Sequence, residues 1–158
     1  MSERIFLGLG SNVGDRDEAL RLAAEGVAQL PGTRIVGRSR TVATPALRWP
    51  GDDLPQEDFR NAVIEVATQL SPDLLFDGVK ALEVRLGRVP TRPWGPRRID
   101  IDILLWGSRV VETARLSIPH PRMHERLFVL EPLCGLAPEF VHPRLGLSVK
   151  QLLSRLGV

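Results

Sequence analysis

Residues 99–105, "IDIDILL", constrain the fold of this chain more than any other stretch. Three isoleucines alternate strictly with Asp100 and Asp102. Successive side chains of a β-strand point to opposite faces, so this period of two indicates a strand with an apolar face and an acidic face. We therefore predict a strand over 99–106 whose isoleucines fill a core while its carboxylates face something other than the core.

The first half of the chain predicts three further strands around one helix. An apolar strand over 5–9 leads into a glycine-rich turn, "GLGSNVGDR", after which Asp15 can cap a helix and form a capping box with Glu18. Residues 34–43 and 59–68 have the β-branched, alternating character of strands. A loop rich in proline and glycine separates these two strands.

The second half predicts another helix, the strand with the aspartates and a C-terminal tail. Ser71 followed by Pro72 is a typical helix start, and Gly87 is a typical helix end. A return strand around 109–112, a short helical region in "HPRMHERLFVLEPL" and a helix in "LSVKQLLSRLG" follow.

The resulting order, β-α-β-β-α-β with extra C-terminal strand and helix elements, is that of an α+β ferredoxin-like sandwich. It predicts an antiparallel sheet with helices on one face. The length of 158 residues suits one domain spanning 1–158.

The paired aspartates suggest a metal site. Asp100 and Asp102 lie on one strand face about 7 Å apart, and two like charges this close favour a bound cation. Magnesium suits them because it combines carboxylate ligands with water and phosphate oxygens. Four arginines precede the strand in sequence, which favours a metal–polyphosphate ligand: Arg88, Arg92, Arg97 and Arg98. A half-exposed strand with its polar side in water is the alternative.

Composition narrows the function classes. Of the 21 basic residues, 19 are arginine and 2 are lysine, and arginine's planar fork suits phosphate and carboxylate ligands. No apolar run approaches the length of a membrane span, and the N-terminus lacks the pattern of a secretory signal. A single cysteine, Cys134, fits a reducing cytoplasm.

Two other sequence patterns, one of glycines and one of histidines, do not decide between a structural and a functional role. Gly8, Gly10 and Gly14 miss the dinucleotide fingerprint by one position, and no Walker A sequence follows, so a structural turn and a ligand role both remain. His120 and His124 have the spacing of two zinc ligands on a helix, but no third ligand is evident.

Three segments together resemble a known family. "GSNVGDR", "WGPRRIDIDILLW" and "IPHPRMHERLFVLEPL", in this order and spacing, are similar to hydroxymethyl-dihydropterin pyrophosphokinase of folate biosynthesis. The resemblance extends over essentially the whole chain. It implies transfer of the β,γ-diphosphate of ATP to the hydroxymethyl oxygen of the pterin, with release of AMP.

The resemblance also implies residue roles at the nucleotide. Asp100 and Asp102 would hold two magnesium ions that bridge the ATP phosphates, with Arg88 and Arg97 assisting catalysis. The residues matching ATP-binding positions of the family are Glu83, Arg88, Arg97, Arg115, Ser117, His120 and Arg126.

On the pterin side, the resemblance implies two stacking aromatics, Phe59 and Phe128, with Asn61 reading the edge of the ring. Phe59 stands where a tyrosine is common in the family. The remaining residues matching the pterin pocket are Thr44, Pro45, Leu47 and Trp94, the last on a flap closing over both substrates.

Two rival functions remain open beside this one. A ferredoxin-like nucleic-acid-binding domain fits the topology and the arginine content, although the aromatic pattern of RNA-binding sheets is absent. An inactive scaffold of another folate enzyme would have no use for the carboxylate pair. We expect two small-molecule substrates and no nucleic acid, membrane or obligate protein partner.

Overall fold

A computed structural model describes residues 3–45, 58–87 and 98–157. Seven strands, four α-helices and one short 3₁₀ helix are arranged along these segments. The strands are β1 (Ile5–Ser11), β2 (Thr33–Arg38), β3 (Val42–Thr44), β4 (Phe59–Thr68), β5 (Asp100–Trp106), β6 (Val111–Glu112) and β7 (Ser117–Ile118). The helices are α1 (Arg16–Ala28), α2 (Pro72–Arg85), the 3₁₀ helix (Met123–Glu125), α3 (Leu127–Leu136) and α4 (Val149–Arg155).

The central sheet is antiparallel, in the order β2-β4-β1-β5. The short strand β3 also pairs with β4, so β2 and β3 follow one another along the same edge of β4. With α1 and α2 as the two crossovers, this is the predicted ferredoxin-like arrangement. The fold class is confirmed.

One face of the sheet packs against α1 and α2. Alternate residues of β1, β4 and β5 point to this side, as the period of two requires. Ile101 and Ile103 are almost fully buried there, beside Leu20 of α1 and Leu82 of α2. The prediction that the isoleucines of 99–103 fill a core is therefore confirmed.

The other face is covered at one end by α3 and α4. Phe6, Leu104 and Leu105 pack there against Leu130 of α3 and Leu152 of α4. The expectation of helices on one face only was wrong, because the C-terminal tail returns across the sheet and buries apolar residues of the second face.

The helix boundaries follow local capping chemistry. Ser71 accepts the backbone N–H of Leu74 and Pro72 begins α2, as predicted. Asp15 accepts the N–H of Glu18 at 3.1 Å. The predicted capping box is incomplete, however, because the Glu18 carboxylate pairs with Arg21.

Three predicted strand boundaries differ in the structure. The strand expected over 34–43 is divided into β2 and β3. The return strand around 109–112 is only the two-residue β6, which pairs with β7 and not with the central sheet. Gly8 and Gly10, placed in a turn by sequence, lie inside β1.

None of the helices in the described part of the chain is long and apolar enough to cross a bilayer.

Candidate active site

A cavity of about 520 Å³ opens on the sheet face that α3 and α4 leave uncovered. Its floor consists of β1, β4 and β5, and its wall is the segment from the 3₁₀ helix to the start of α3. Eight of the residues predicted for the site line it: Thr44, Pro45, Phe59, Asn61, Asp100, Asp102, Arg126 and Phe128. The structure therefore brings five of the seven predicted pterin residues and both predicted metal ligands to one cavity.

Two glycines of β1 separate the two halves of the floor. Gly10 pairs with Asn61 on one side and with Asp100 on the other, and Gly8 pairs with Asp102. With strands about 4.8 Å apart, Asn61 and Asp100 lie roughly 10 Å from each other across this row. The missing side chains leave the centre of the floor flat and open to a ligand.

The half of the floor on β4 has a fixed hydrogen-bonding group. The Asn61 side chain is buried, and its Nδ2 donates to Oγ1 of Thr44 on β3 at 3.0 Å. Its Oδ1 then lies over β1, 3.0 Å from the position that a Cβ on Gly10 would occupy. Phe59, two residues earlier on the same face, adds a half-buried ring. This half can bind a flat heterocycle and read its edge.

The half of the floor on β5 is acidic, and α2 supports it from behind. Asp102 keeps 42% of its side chain exposed, and its Oδ1 lies 3.8 Å from Nζ of Lys80. Lys80 donates to the carbonyl of Ile101 at 3.0 Å and to Glu83 at 3.2 Å. Glu83 is buried, and its Oε2 also accepts the N–H of Ile101 at 2.7 Å. A lysine–glutamate pair on α2 thus holds the backbone between the two aspartates.

His120 lies next to this acidic half. Burial of the ring lowers the pKa of His120 below its ordinary value. The negative charge of Asp102 opposes the shift of this pKa, and three cations add to it: Arg126, Lys80 and Arg122. The Nδ1 of His120 accepts the N–H of Arg122 at 3.3 Å, as a neutral imidazole can.

The wall of the cavity includes the N-terminus of α3. Arg126 is the N-cap residue of α3, and the first turn of that helix contains no acidic residue. The guanidinium of Arg126 lies 5.6 Å from the centre of the Phe128 ring, a cation–π distance. The N-terminus of a helix and an arginine at one place favour an anionic ligand.

Four of the predicted nucleotide residues in the described segments do not line the cavity: Glu83, Arg115, Ser117 and His120. Arg115 is exposed and pairs with Asp77 of α2. Its guanidinium lies 5.3 Å from the centre of the Phe76 ring, which Lys80 also approaches, so Arg115 is on the side of the acidic half. Ser117 belongs to β7, which pairs with β6.

Four predicted site residues lie outside the described residues: Leu47, Arg88, Trp94 and Arg97. The same applies to Arg92.

The zinc interpretation gains no third ligand in the described segments. Nowhere in them do three or more histidine, cysteine or acidic side chains form a cluster able to hold a metal. The ring of His124 instead lies 6.3 Å from that of His142, edge to face.

Sequence reasoning missed residues in and beside the cavity. Lys80 has no motif of its own, although its position three residues before Glu83 places both on one helical face. Gly8 and Gly10 carried a usable signal, because glycine inside a strand often marks a close approach of a ligand. Glu125, which no sequence pattern indicated, also lines the wall.

Solved structures share this fold. The crystal structure of Plasmodium falciparum HPPK-DHPS wild type with pterin and p-hydroxybenzoate matches with a TM-score of 0.74 and 15% identity, covering 98% of this chain and 43% of that one. The chain thus spans less than half of that protein, and at this identity the likeness shows the fold.

Sequence relatives are much closer. The 2-amino-4-hydroxy-6-hydroxymethyldihydropteridine pyrophosphokinase of Methylorubrum extorquens is 42% identical over 153 residues, covering 97% of this chain and 93% of that protein. The protein of the same name from Pseudomonas aeruginosa is 39% identical over 143 residues, covering 90% and 86%. The model of the 7,8-dihydro-6-hydroxymethylpterin-pyrophosphokinase family matches residues 6–138. This chain therefore belongs to the 7,8-dihydro-6-hydroxymethylpterin-pyrophosphokinase family.

Proposed function

We propose that this chain transfers the β,γ-diphosphate of ATP to the hydroxymethyl oxygen of 6-hydroxymethyl-7,8-dihydropterin and releases AMP, in folate biosynthesis. The observation that carries the proposal is the glycine floor, which separates an edge-reading amide from a carboxylate pair by roughly 10 Å. A pterin over Asn61 and a polyphosphate at Asp100 and Asp102 would meet above Gly8 and Gly10.

The carboxylate pair fits magnesium. Asp100 and Asp102 project from alternate positions of one strand into a cavity, and they supply oxygen ligands alone. Magnesium prefers such ligands and completes its shell with water and phosphate. We assign these two residues to two ions that, when bound, neutralise phosphate charge and lower the pKa of the attacking hydroxyl.

The nucleotide phosphates would lie between β5 and the start of α3. There Arg126 and the N-terminus of α3 neutralise phosphate oxygens, and His120 donates from Nε2, since its Nδ1 accepts a backbone N–H. We assign Arg88 and Arg97 to the same phosphates. We assign Glu83, Arg115 and Ser117 to the nucleoside end of ATP. All three lie on the side of α2 and the 115–120 segment.

The pterin would stack between Phe59 and Phe128. Asn61 would read its edge in the orientation that Thr44 fixes. Pro45 lines the same end of the cavity. We assign Leu47 and Trp94 to this pocket and to its closing flap.

The reaction requires little covalent chemistry from the protein. The pterin hydroxyl oxygen attacks the β-phosphorus and its proton is released to solvent. The bond from that phosphorus to the α,β-bridging oxygen breaks, and AMP leaves carrying that oxygen. In such phosphoryl transfers, positioning and charge neutralisation dominate. The two halves of the floor position the substrates, and the cations around the acidic half neutralise the phosphate charge.

The nucleotide product tests the proposal directly. The protein is incubated with ATP and magnesium, with and without hydroxymethyl-dihydropterin, and nucleotides are separated by chromatography. We expect AMP only when the pterin is present. ADP as product would contradict diphosphate transfer, and no turnover by folded protein would favour the scaffold alternative.

We also propose that residues 1–158 act as one cytoplasmic domain without nucleic acid, membrane or obligate protein partner. The two apolar clusters share the central sheet, which supports a single folding unit. Filter binding to single-stranded RNA in EDTA should detect no complex; retention of RNA would favour the nucleic-acid alternative.

A further inference from the structure

Lys80 is the cation nearest to Asp102 among the ion pairs of the described residues. Its Nζ lies 3.8 Å from Oδ1 of Asp102, too far for a hydrogen bond but close enough for an ion pair. Two hydrogen bonds of the ammonium, to Glu83 and to the Ile101 carbonyl, fix it in place. Lys80 is therefore held, and does not simply extend into solvent.

The fixed ammonium has opposite effects on two forms of the same metal. A free divalent ion arriving at Asp102 carries charge of the same sign as Lys80 and is repelled. A magnesium–ATP complex carries net negative charge, so the same ammonium attracts it. Lys80 remains 37% exposed on its side chain, which lets a ligand at Asp102 approach it.

We propose that Lys80 is a positioning residue for the metal site: as a resident counter-cation of Asp102, it weakens binding of free divalent metal and favours entry of metal together with polyphosphate. This inference rests on the proposed function. It adds to that function a selection between free and nucleotide-bound metal that the aspartates alone do not provide.

A purely structural role would have a different signature. If Lys80 only tied α2 to β5, its loss would disturb the backbone at Ile101 and weaken both ligands together. Glu83 would still accept the Ile101 N–H after the substitution, since that bond does not involve Lys80. Charge removal should instead change the two affinities in opposite directions.

The test is a pair of binding titrations on K80Q, K80R and the wild type, without pterin. The first follows free Mn²⁺ by electron paramagnetic resonance, and the second follows magnesium with α,β-methylene-ATP by calorimetry. For K80Q we expect free Mn²⁺ to bind roughly 3- to 10-fold more tightly and the nucleotide complex to bind roughly 3- to 10-fold more weakly, the range for one partly exposed charge. K80R keeps the charge and should remain near wild type for both.

The only other lysine provides the matched control. Lys150 is exposed on α4, so K150Q makes the same change of charge away from the cavity. It should leave both affinities unchanged, and circular dichroism should show that all variants are folded.

The outcomes distinguish a failure of the Lys80 proposal from a failure of the proposed function. Unchanged affinities in K80Q, or a loss of both, would overturn the assignment of Lys80 while AMP formation by the wild type upholds the proposed function. A wild type that binds no magnesium nucleotide would overturn the proposed function and this inference with it.

A measurement on the wild type covers the case in which K80Q does not fold. The chain contains only two lysines, so selective ¹³C labelling gives two Cε signals. Addition of magnesium should shift the signal of Lys80 and leave that of Lys150 in place. Equal shifts, or no shift of Lys80, would contradict the proposal.

Discussion

The two faces of the central sheet are built from the same strands but serve different ends. On the face toward α1 and α2, β5 contributes Ile101 and Ile103, both buried. On the opposite face, the same strand contributes Asp100 and Asp102 to an open cavity and only then Leu104 to a core. On β5, one face is apolar throughout, while the other changes from polar at the aspartates to apolar at Leu104.

This difference shows how a small domain separates stability from function. The fully covered face supplies apolar burial without regard to the ligand. The other face is needed for stability only where α3 and α4 cover it, so its remaining part is free to hold glycines and carboxylates. Substitutions one residue apart on β5 should therefore have unrelated consequences.

The largest effect should come from Asp102→Asn on the open face. The substitution keeps the shape of the side chain and removes its charge, so AMP formation should fall about 10²–10³-fold or more. Because Asp102 is 42% exposed, the free energy of unfolding should change by only about 0.5 kcal/mol. Chromatography of nucleotides and urea unfolding measure the two quantities. Near-normal AMP formation would remove Asp102 from the metal site.

Ile101→Ala, the neighbouring residue on the covered face, should show the reverse. The side chain is fully buried, so its truncation should lower the free energy of unfolding by about 2–5 kcal/mol. Turnover per folded molecule should stay near that of the wild type, because Glu83 is bonded to the Ile101 backbone and not to its side chain. A large loss of turnover in folded protein would mean that the two faces are coupled.

Gly10→Ala tests the flat floor between the two halves of the cavity. A methyl group there would lie 3.0 Å from Oδ1 of Asn61, which Thr44 holds in place. We expect KM for the pterin to rise roughly tenfold, equivalent to about 1.4 kcal/mol.

Gly8→Ala is the matched control for this substitution. The atoms nearest to its methyl would belong to the Leu104 side chain, at 3.4 Å, which is an ordinary van der Waals contact. The increase in KM should be clearly smaller. Equal increases for the two variants would mean that the position of Asn61 is not what Gly10 protects.

The smallest effect that we expect is a pH dependence of the stability, caused by His142. Burial lowers the pKa of His142 in the folded protein, and Nδ1 of this residue accepts the N–H groups of Arg144 and Leu145. The unfolded chain therefore binds the proton more readily, and stability should fall as pH drops below about 6.5, the ordinary histidine value.

His142→Asn tests this dependence, because asparagine can accept the same N–H groups and does not titrate. Urea unfolding at pH 7 and pH 5 should show a weaker pH dependence in the variant. An identical dependence in both proteins would assign the acid sensitivity to other groups.

Much of this organisation was accessible from the sequence, because it depends on local chemistry. The bounds of β4 follow from its residue pattern, the start of α2 follows from Ser71 and Pro72, and the opposite faces of β5 follow from strict alternation. These features need no knowledge of what packs against them.

The features that were missed depend on long-range packing. No local signal states that α3 and α4 return to the second face, since an apolar helix can cover any apolar surface. Gly8 and Gly10 resemble a turn until the strands on both sides are known. Lys80 gains its meaning only from a contact 22 positions away in sequence, with Asp102.

The alternation in β5 also determines which side of the sheet each of its side chains faces. Insertion or deletion of a single residue between positions 99 and 103 would exchange the two faces, turning carboxylates toward α1 and α2. The strand does contain one extra residue relative to β1, the bulge at Leu104. Because this residue comes after both aspartates, it does not change the face of the sheet on which they lie. Length changes among related chains should therefore fall in loops or beyond this bulge. A gap placed inside the aspartate pair of such a chain would indicate either a misalignment or a protein that has lost this site.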